Sequence, residues 1–188
     1  MIFTEFQNKS LSLLGMGCMR FPTLENGEID IDLTREMVDL AIKSGVNYFD
    51  TAYPYHNGKS ELVIGDILSN YPRESFFLAD KFPGHQISSS YDPAVVFEDQ
   101  LKKCKVDYFD FYLFHALNRN SYQKHKDCNT FAIVDQLKKE GKIKHVGLSF
   151  HDTADVLDRI LTDYPELEIV QIQFNYADYE DPSVESRK

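Results

Sequence analysis

Strand-like runs of apolar and aromatic residues recur along this chain at a nearly constant interval, each followed by a helix-like segment. The runs end near Gly17, Asp50, Lys81, His115, Ser149 and Asn175, at steps of 33, 31, 34, 34 and 26 residues. A strand that returns parallel to its predecessor needs a crossover of a dozen or more residues, normally a helix, so this alternation calls for a parallel sheet. A closed eight-stranded barrel of about 250 residues uses about 31 per βα unit. The fold class read from the period is therefore α/β, of the (β/α)8 TIM-barrel type. One domain over residues 1–188 holds about six of the eight βα units and lacks the last strands. Gly15-Met16-Gly17 offers a single GxG and no GxGxxG, which argues against a doubly wound dinucleotide fold.

Local signals place the elements. Phe3 to Phe6, a turn at Gln7-Asn8-Lys9 and the first strand Leu11 to Leu14 form a hairpin pattern. Asp32 reads as an N-cap, with Met37, Leu40 and Ala41 on the apolar face of the helix and Gly45 ending it. Further strands are expected at 46–49, 76–79, 109–114, 143–148 and 168–174. Helices are expected at 60–68, from Asp92-Pro93 to Lys103, at 130–139 and at 153–163. The stretch from Ala116 to Asn129 reads as a long loop flanking the site, with His125 solvated between Lys124 and Lys126. His56 and His85 are placed in exposed loops. Glu180-Asp181 is placed on a solvated face, and a further helix begins at Val184.

Charge and composition exclude several classes. Twenty basic against thirty acidic residues give a net charge of −10, which opposes nucleic acid or an anionic membrane surface as main partner. No run of 18 apolar residues occurs and the N-terminus lacks a signal-peptide pattern, so a cytoplasmic setting is expected. Cys18, Cys104 and Cys128 are widely spaced and odd in number, and point to no metal site and no disulfide framework.

In (β/α) barrels the catalytic side chains stand at the carboxyl ends of strands. Here Asp50, Lys81 and His115 follow three successive strand-like runs, and Tyr55 lies five residues past Asp50. A phenol is a poor acid near neutrality, but a nearby ammonium lowers its pKa. Asp50 can hold Lys81 charged and oriented, and His115 can hydrogen-bond a substrate oxygen. The group suits proton delivery to a carbonyl, for which a cofactor must supply the hydride. Tyr53, Tyr55, His56, Phe82, Phe114 and Phe150 offer aromatic walls for an apolar substrate, with aromatic core packing as the competing reading for all but Tyr55.

Several motifs occur in order and resemble the aldo-keto reductase family over residues 10 to 188. They are Asn47-Tyr48-Phe49-Asp50-Thr51-Ala52 with Tyr55, Gly58, Ser60-Glu61 and Gly65; Leu78-Ala79-Asp80-Lys81; Tyr108 to His115; and Gly141 to Ser149. The resemblance implies an NADP(H)-dependent reductase of aldehydes or ketones, a small-molecule carbonyl being the substrate. It makes Asp50, Tyr55, Lys81 and His115 the catalytic tetrad, with Tyr55 as general acid. It assigns Ser149 and Gln171 to the nicotinamide carboxamide, and Gly17, Met19 and Arg20, together with Asp50, to the cofactor side. The family commonly has Asn after the Ser149 position; Phe150-His151-Asp152 here is similar to a bacterial and archaeal branch that often carries a C-terminal four-cysteine iron–sulfur segment, but no such segment occurs in this sequence, so no iron–sulfur cluster is expected in this chain. The family's contacts to the adenosine 2′-phosphate and pyrophosphate lie in regions after the sixth strand. Two other readings stand beside the enzyme: a non-catalytic nucleotide-sensing or structural subunit, and an inactive fragment that self-associates through open sheet edges.

Overall fold

The computed structural model describes residues 1–84 and 92–177. His85, Glu180-Asp181 and the helix expected from Val184 lie outside the described residues. The chain packs as two compact units, Met1–Asp80 with Phe97–Asp110, and Lys81–Val96 with Phe111–Lys188. Its parallel strands are β3 (Met16–Gly17), β4 (Tyr48–Asp50), β5 (Phe77–Phe82), β6 (Phe109–Leu117), β7 (Ile143–Phe150) and β8 (Ile169–Ile172), hydrogen-bonded in chain order. Strict sequential order is that of a (β/α) barrel, whereas doubly wound sheets reverse order at a switch point.

The first unit opens with an antiparallel hairpin, β1 (Phe3–Phe6) and β2 (Lys9–Ser12). Gln7 and Asn8 between them both adopt positive φ, 50° and 59°, the twist that suits a two-residue hairpin turn. This corrects the first strand expected at Leu11 to Leu14: Leu11 and Ser12 belong to the hairpin, Leu13 and Leu14 are exposed, and the parallel sheet starts only at Met16. Asn47 ties the hairpin to β4, its side chain accepting from Ser12 N–H at 2.8 Å and its own N–H donating to Ser12 Oγ at 3.0 Å.

Helix α1 (Ile31–Lys43) is capped by Asp30, not Asp32; the Asp30 carboxylate accepts from Leu33 N–H at 3.0 Å. Its buried face is Thr34 and Val38, while Met37 and Leu40 remain exposed. Gly45 follows the helix at φ 90°, as expected of a C-terminal glycine. Helices α2 (Ser60–Leu68) and α3 (Pro93–Cys104) follow β4 and β5 in the chain, and the aromatic core includes Phe97 and Phe109 edge-to-face at 5.7 Å. Asp110 is structural: its Oδ2 accepts from Leu78 N–H at 3.0 Å and from the Arg73 guanidinium at 2.7 Å.

In the second unit, α5 (Thr130–Lys139), β7, α6 (Ala154–Asp163) and β8 follow the expected alternation. The stretch from Ala116 to Asn129 departs from it, being largely a helix, α4 (Arg119–Asp127). Asn118 caps α4 by accepting from the N–H groups of Asn120 and Ser121, and Asn118 N–H donates to Ser121 Oγ in return. His125 on α4 is therefore not solvated but fully buried, with its ring against Phe82, Phe114 and Phe131 at 5.7, 5.1 and 5.9 Å.

Burial lowers the His125 pKa to about 3, so the folded protein carries this imidazole neutral. The unfolded chain titrates near 6.5 and binds the extra proton first. Stability from this group is thus fully present above about pH 6.5 and is lost as pH falls toward 3, by up to about 4 kcal/mol. Denaturant midpoints measured across that window are expected to fall steeply for the native protein and less steeply for His125→Leu. Parallel slopes would contradict the assignment.

Among the described residues no helix is long and apolar enough to cross a membrane.

Candidate active site

The strands run further than the sequence signals indicate. Lys81 lies inside β5, His115 inside β6 and Ser149 inside β7, so these side chains project from the last residues of rigid strands instead of from loops. Lys81 is 1% exposed, which rules out a lysine that merely reaches solvent. A fully buried ammonium requires anionic or hydrogen-bonding company to be stable.

In the first unit, parallel pairing sets Gly17 opposite Asp50, and Asp50 opposite Ala79. The Asp50 carbonyl accepts from Cys18 N–H at 2.8 Å, and Thr51 N–H donates to the Ala79 carbonyl at 2.9 Å. Buried hydroxyls then fasten the two loops beyond these strands. Ser60 Oγ donates to the Cys18 carbonyl at 3.1 Å and lies 3.0 Å from Thr51 Oγ1. Cys18 is fully buried, while Gly17, Met19 and Arg20 around it are exposed. A Cβ on Gly17 would meet nothing within 4 Å, so a ligand can approach the backbone there.

Tyr55 opens a 3-10 turn, Tyr55–Gly58, its N–H donating to the Ala52 carbonyl at 3.1 Å. His56 and Asn57 take left-handed φ of 51° and 56° within it. His56 does not stand free in an exposed loop. Its Nε2 accepts from Phe21 N–H at 3.0 Å, and its ring stacks on Phe21 at 5.6 Å and 19°. The turn that carries Tyr55 is thereby pinned to the segment that carries Met19 and Arg20. Sequence reasoning missed this bond, because nothing local marks a histidine as the acceptor of an N–H 35 residues away.

Tyr48, beside Asp50, is pushed far above the ordinary phenol range, by burial first and by the Asp50 charge second. That makes Tyr48 a poor proton donor. On the first turn of α2, Glu61 is fully buried, its Oε1 accepting from Gln100 at 2.8 Å and its Oε2 lying 3.3 Å from the Lys103 ammonium. Burial raises its pKa despite these partners. Lys103 also sits over the Tyr53 ring at 4.2 Å, so Tyr53 belongs to this packing cluster.

In the second unit, β7 and β8 pair Ser149 directly opposite Gln171. Side chains at paired positions of adjacent parallel strands stand on the same face, about 4.8 Å apart. The two residues assigned to one carboxamide are therefore neighbours. Ser149 is 6% exposed. His115 is half-buried and is followed by Ala116 at φ 51°, a left-handed conformation rare for a residue with a Cβ. Phe82, Phe114 and Phe150 are buried, and the first two pack on His125.

The profile described as the aldo/keto reductase family matches residues 13–187. Among similar proteins, the NADH-specific methylglyoxal reductase of Escherichia coli is 26% identical over 170 residues, covering 81% of this chain and 51% of that one. A probable aldo-keto reductase of Glycine max is 30% identical over 179 residues, covering 90% and 49%. The chain thus spans about half the length of the curated relatives it matches. Of solved structures, an aldo-keto reductase from Klebsiella pneumoniae in complex with NADPH superposes with a TM-score of 0.73 at 18% identity, covering 98% of this chain and 64% of that one. A thermostable aldo-keto reductase in complex with epalrestat also gives 0.73, at 22% identity and 99% and 67% coverage. At such identities the structures establish the fold, and the profile match establishes the kinship: the chain belongs to the aldo/keto reductase family.

Proposed function

We propose that this chain carries the reaction centre of a nicotinamide-dependent carbonyl reductase, with NADPH as hydride donor and a small aldehyde, ketone or dicarbonyl as substrate. The observation that carries the reading is Lys81, a lysine 1% exposed inside a strand whose hydrogen-bonded neighbour ends in Asp50. A buried ammonium is costly unless it serves a charged partner, and lowering the pKa of a phenol is such a service. When bound, the reduced nicotinamide supplies hydride to the carbonyl carbon. Tyr55 then gives its proton to the carbonyl oxygen, Lys81 stabilises the phenolate left behind, and Asp50 keeps Lys81 charged and oriented. His115 hydrogen-bonds the substrate oxygen. Ser149 and Gln171 hold the carboxamide, for which their paired placement on β7 and β8 fits. The exposed Gly17, Met19 and Arg20 line the cofactor side, and the open space at Gly17 supports that role.

The choice between NADPH and NADH rests on the family resemblance. A complex with NADPH in one relative supports it, while another relative is NADH-specific. Steady-state oxidation of both cofactors against a panel of small aldehydes and dicarbonyls tests the reading. Carbonyl-dependent turnover, faster with NADPH, is expected. Quenching of cofactor fluorescence without turnover would replace the enzyme by a nucleotide-sensing subunit.

A further inference from the structure

Two carboxyl groups of the first unit are fully buried and take no part in the proposed reaction: Glu61, on the first turn of α2, and Asp80, on β5. Their side chains are hydrogen-bonded to each other. An ionised carboxylate can only accept, so a bond between two carboxyls requires that one of them carry a proton. On the helix side the pair meets one ammonium, Lys103 of α3, 3.3 Å from Glu61 Oε2. That ammonium is shared with Asp99, at 2.6 Å. Three carboxyls on this side thus draw on a single cation. The other neighbours are neutral. Gln100 donates to Glu61 Oε1 at 2.8 Å, and the Cys104 thiol lies 3.8 Å from Asp80 Oδ2. Burial holds that thiol well above its ordinary range, so it stays protonated, and Cys18 near it is buried as well. Lys81, the next residue of the strand, projects to the opposite face of the pleat from Asp80.

Glu61 also stands where its anchoring matters. The 3-10 turn Tyr55–Gly58 leads directly into α2. Ser60, the residue before Glu61, donates to the Cys18 carbonyl and lies 3.0 Å from Thr51 Oγ1. What holds Glu61 therefore also holds the loops around Tyr55 and Cys18. We infer that Glu61 and Asp80 share a single proton in the folded protein, and that this proton is a pH-dependent latch fastening the first turn of α2, and with it the Tyr55 turn, to Asp80. Burial raises the Glu61 pKa, the direction a shared proton requires. The unfolded chain loses this proton in the ordinary carboxyl range and the folded protein loses it higher. The latch is complete below that ordinary range, and its contribution is lost as pH rises through the raised value. That it serves catalysis rests on the reading of Tyr55 as the acid; the shared proton does not.

Infrared spectra in heavy water at about pH 7 read the proton directly, because exposed carboxyls are ionised there and only a protonated one keeps its C=O stretch. A protonated-carboxyl band is expected in the native protein. It should be absent from both Glu61→Gln and Asp80→Asn, and retained in Asp99→Asn. Denaturant unfolding reads the latch. Above the ordinary carboxyl range, the native folding equilibrium constant should fall about tenfold more per pH unit than that of Glu61→Gln, the effect of one proton. The glutamine amide donates to Asp80 without titrating. No band in the native protein, a band that survives in both variants, or parallel pH dependences would overturn the proposal. The native spectrum and Asp80→Asn decide the matter even if Glu61→Gln does not fold. A native protein with the band and no turnover would refute the reaction-centre reading and leave the shared proton standing.

Discussion

Tyr55→Phe is expected to lower turnover about 10²–10⁴-fold and to leave cofactor affinity unchanged. The substitution removes one oxygen and its proton and keeps the ring, so packing of the 3-10 turn at Tyr55–Gly58 is preserved. General acid catalysis contributes roughly that factor, about 3–5 kcal/mol of barrier. Because the phenol acts only as charge develops on the carbonyl oxygen, the loss should fall on kcat and not on the cofactor KM. Tyr53→Phe is the control. Its ring engages Lys103 at 4.2 Å, and removing its hydroxyl should leave turnover near the native value. A large loss in Tyr53→Phe with none in Tyr55→Phe would move the acid to the wrong tyrosine and refute the assignment.

Gly65→Ala should cost the protein about 2 kcal/mol. Helix α2 crosses the end of α3 so closely at this glycine that a Cβ would stand 2.3 Å from the Lys103 carbonyl oxygen and 2.6 Å from Cys104 backbone atoms. Backbone cannot rotate away as a side chain can, so the helices must separate. Overpacking of this kind costs about 3 kcal/mol, against which alanine regains about 1 kcal/mol of helix propensity. The separation would also pull Lys103 and Gln100 from the buried Glu61 carboxylate. For a chain of this size the melting temperature should drop by about 4–8 °C. Gly17→Ala is the contrasting case. Nothing lies within 4 Å of its added Cβ, so stability should hold while the cofactor KM rises. An unchanged melting temperature in Gly65→Ala would mean that the α2–α3 contact yields more easily than its geometry indicates.

The order of strands and the identity of the polar residues at their ends were readable because each follows an apolar run whose length and spacing allow few alternatives. Asp50, Lys81, His115 and Ser149 interrupt such runs, and the structure sets each of them in the last residues of a strand. The extent of those strands was not readable. A charged residue ends an apolar pattern on paper, but a buried Lys81 continues the hydrogen-bonded ladder regardless. Helix α4 was hidden for a related reason. Its buried positions are Ser121, Tyr122 and His125, polar or amphipathic residues that leave no apolar stripe at helical spacing. The first strand was misplaced because Leu11 to Leu14 is the most apolar run in that region, yet Leu13 and Leu14 face solvent. Long-range pinning, such as Phe21 to His56, has no local sequence signal at all.

The most direct test of the account follows the hydride itself. The protein is mixed with reduced cofactor carrying deuterium at the transferring C4 position and with a small aldehyde, and the product is analysed by mass spectrometry. The account expects an alcohol with one deuterium on the former carbonyl carbon, formed by the native protein and nearly absent with Tyr55→Phe. Cofactor that binds and keeps its deuterium while no alcohol appears would contradict it.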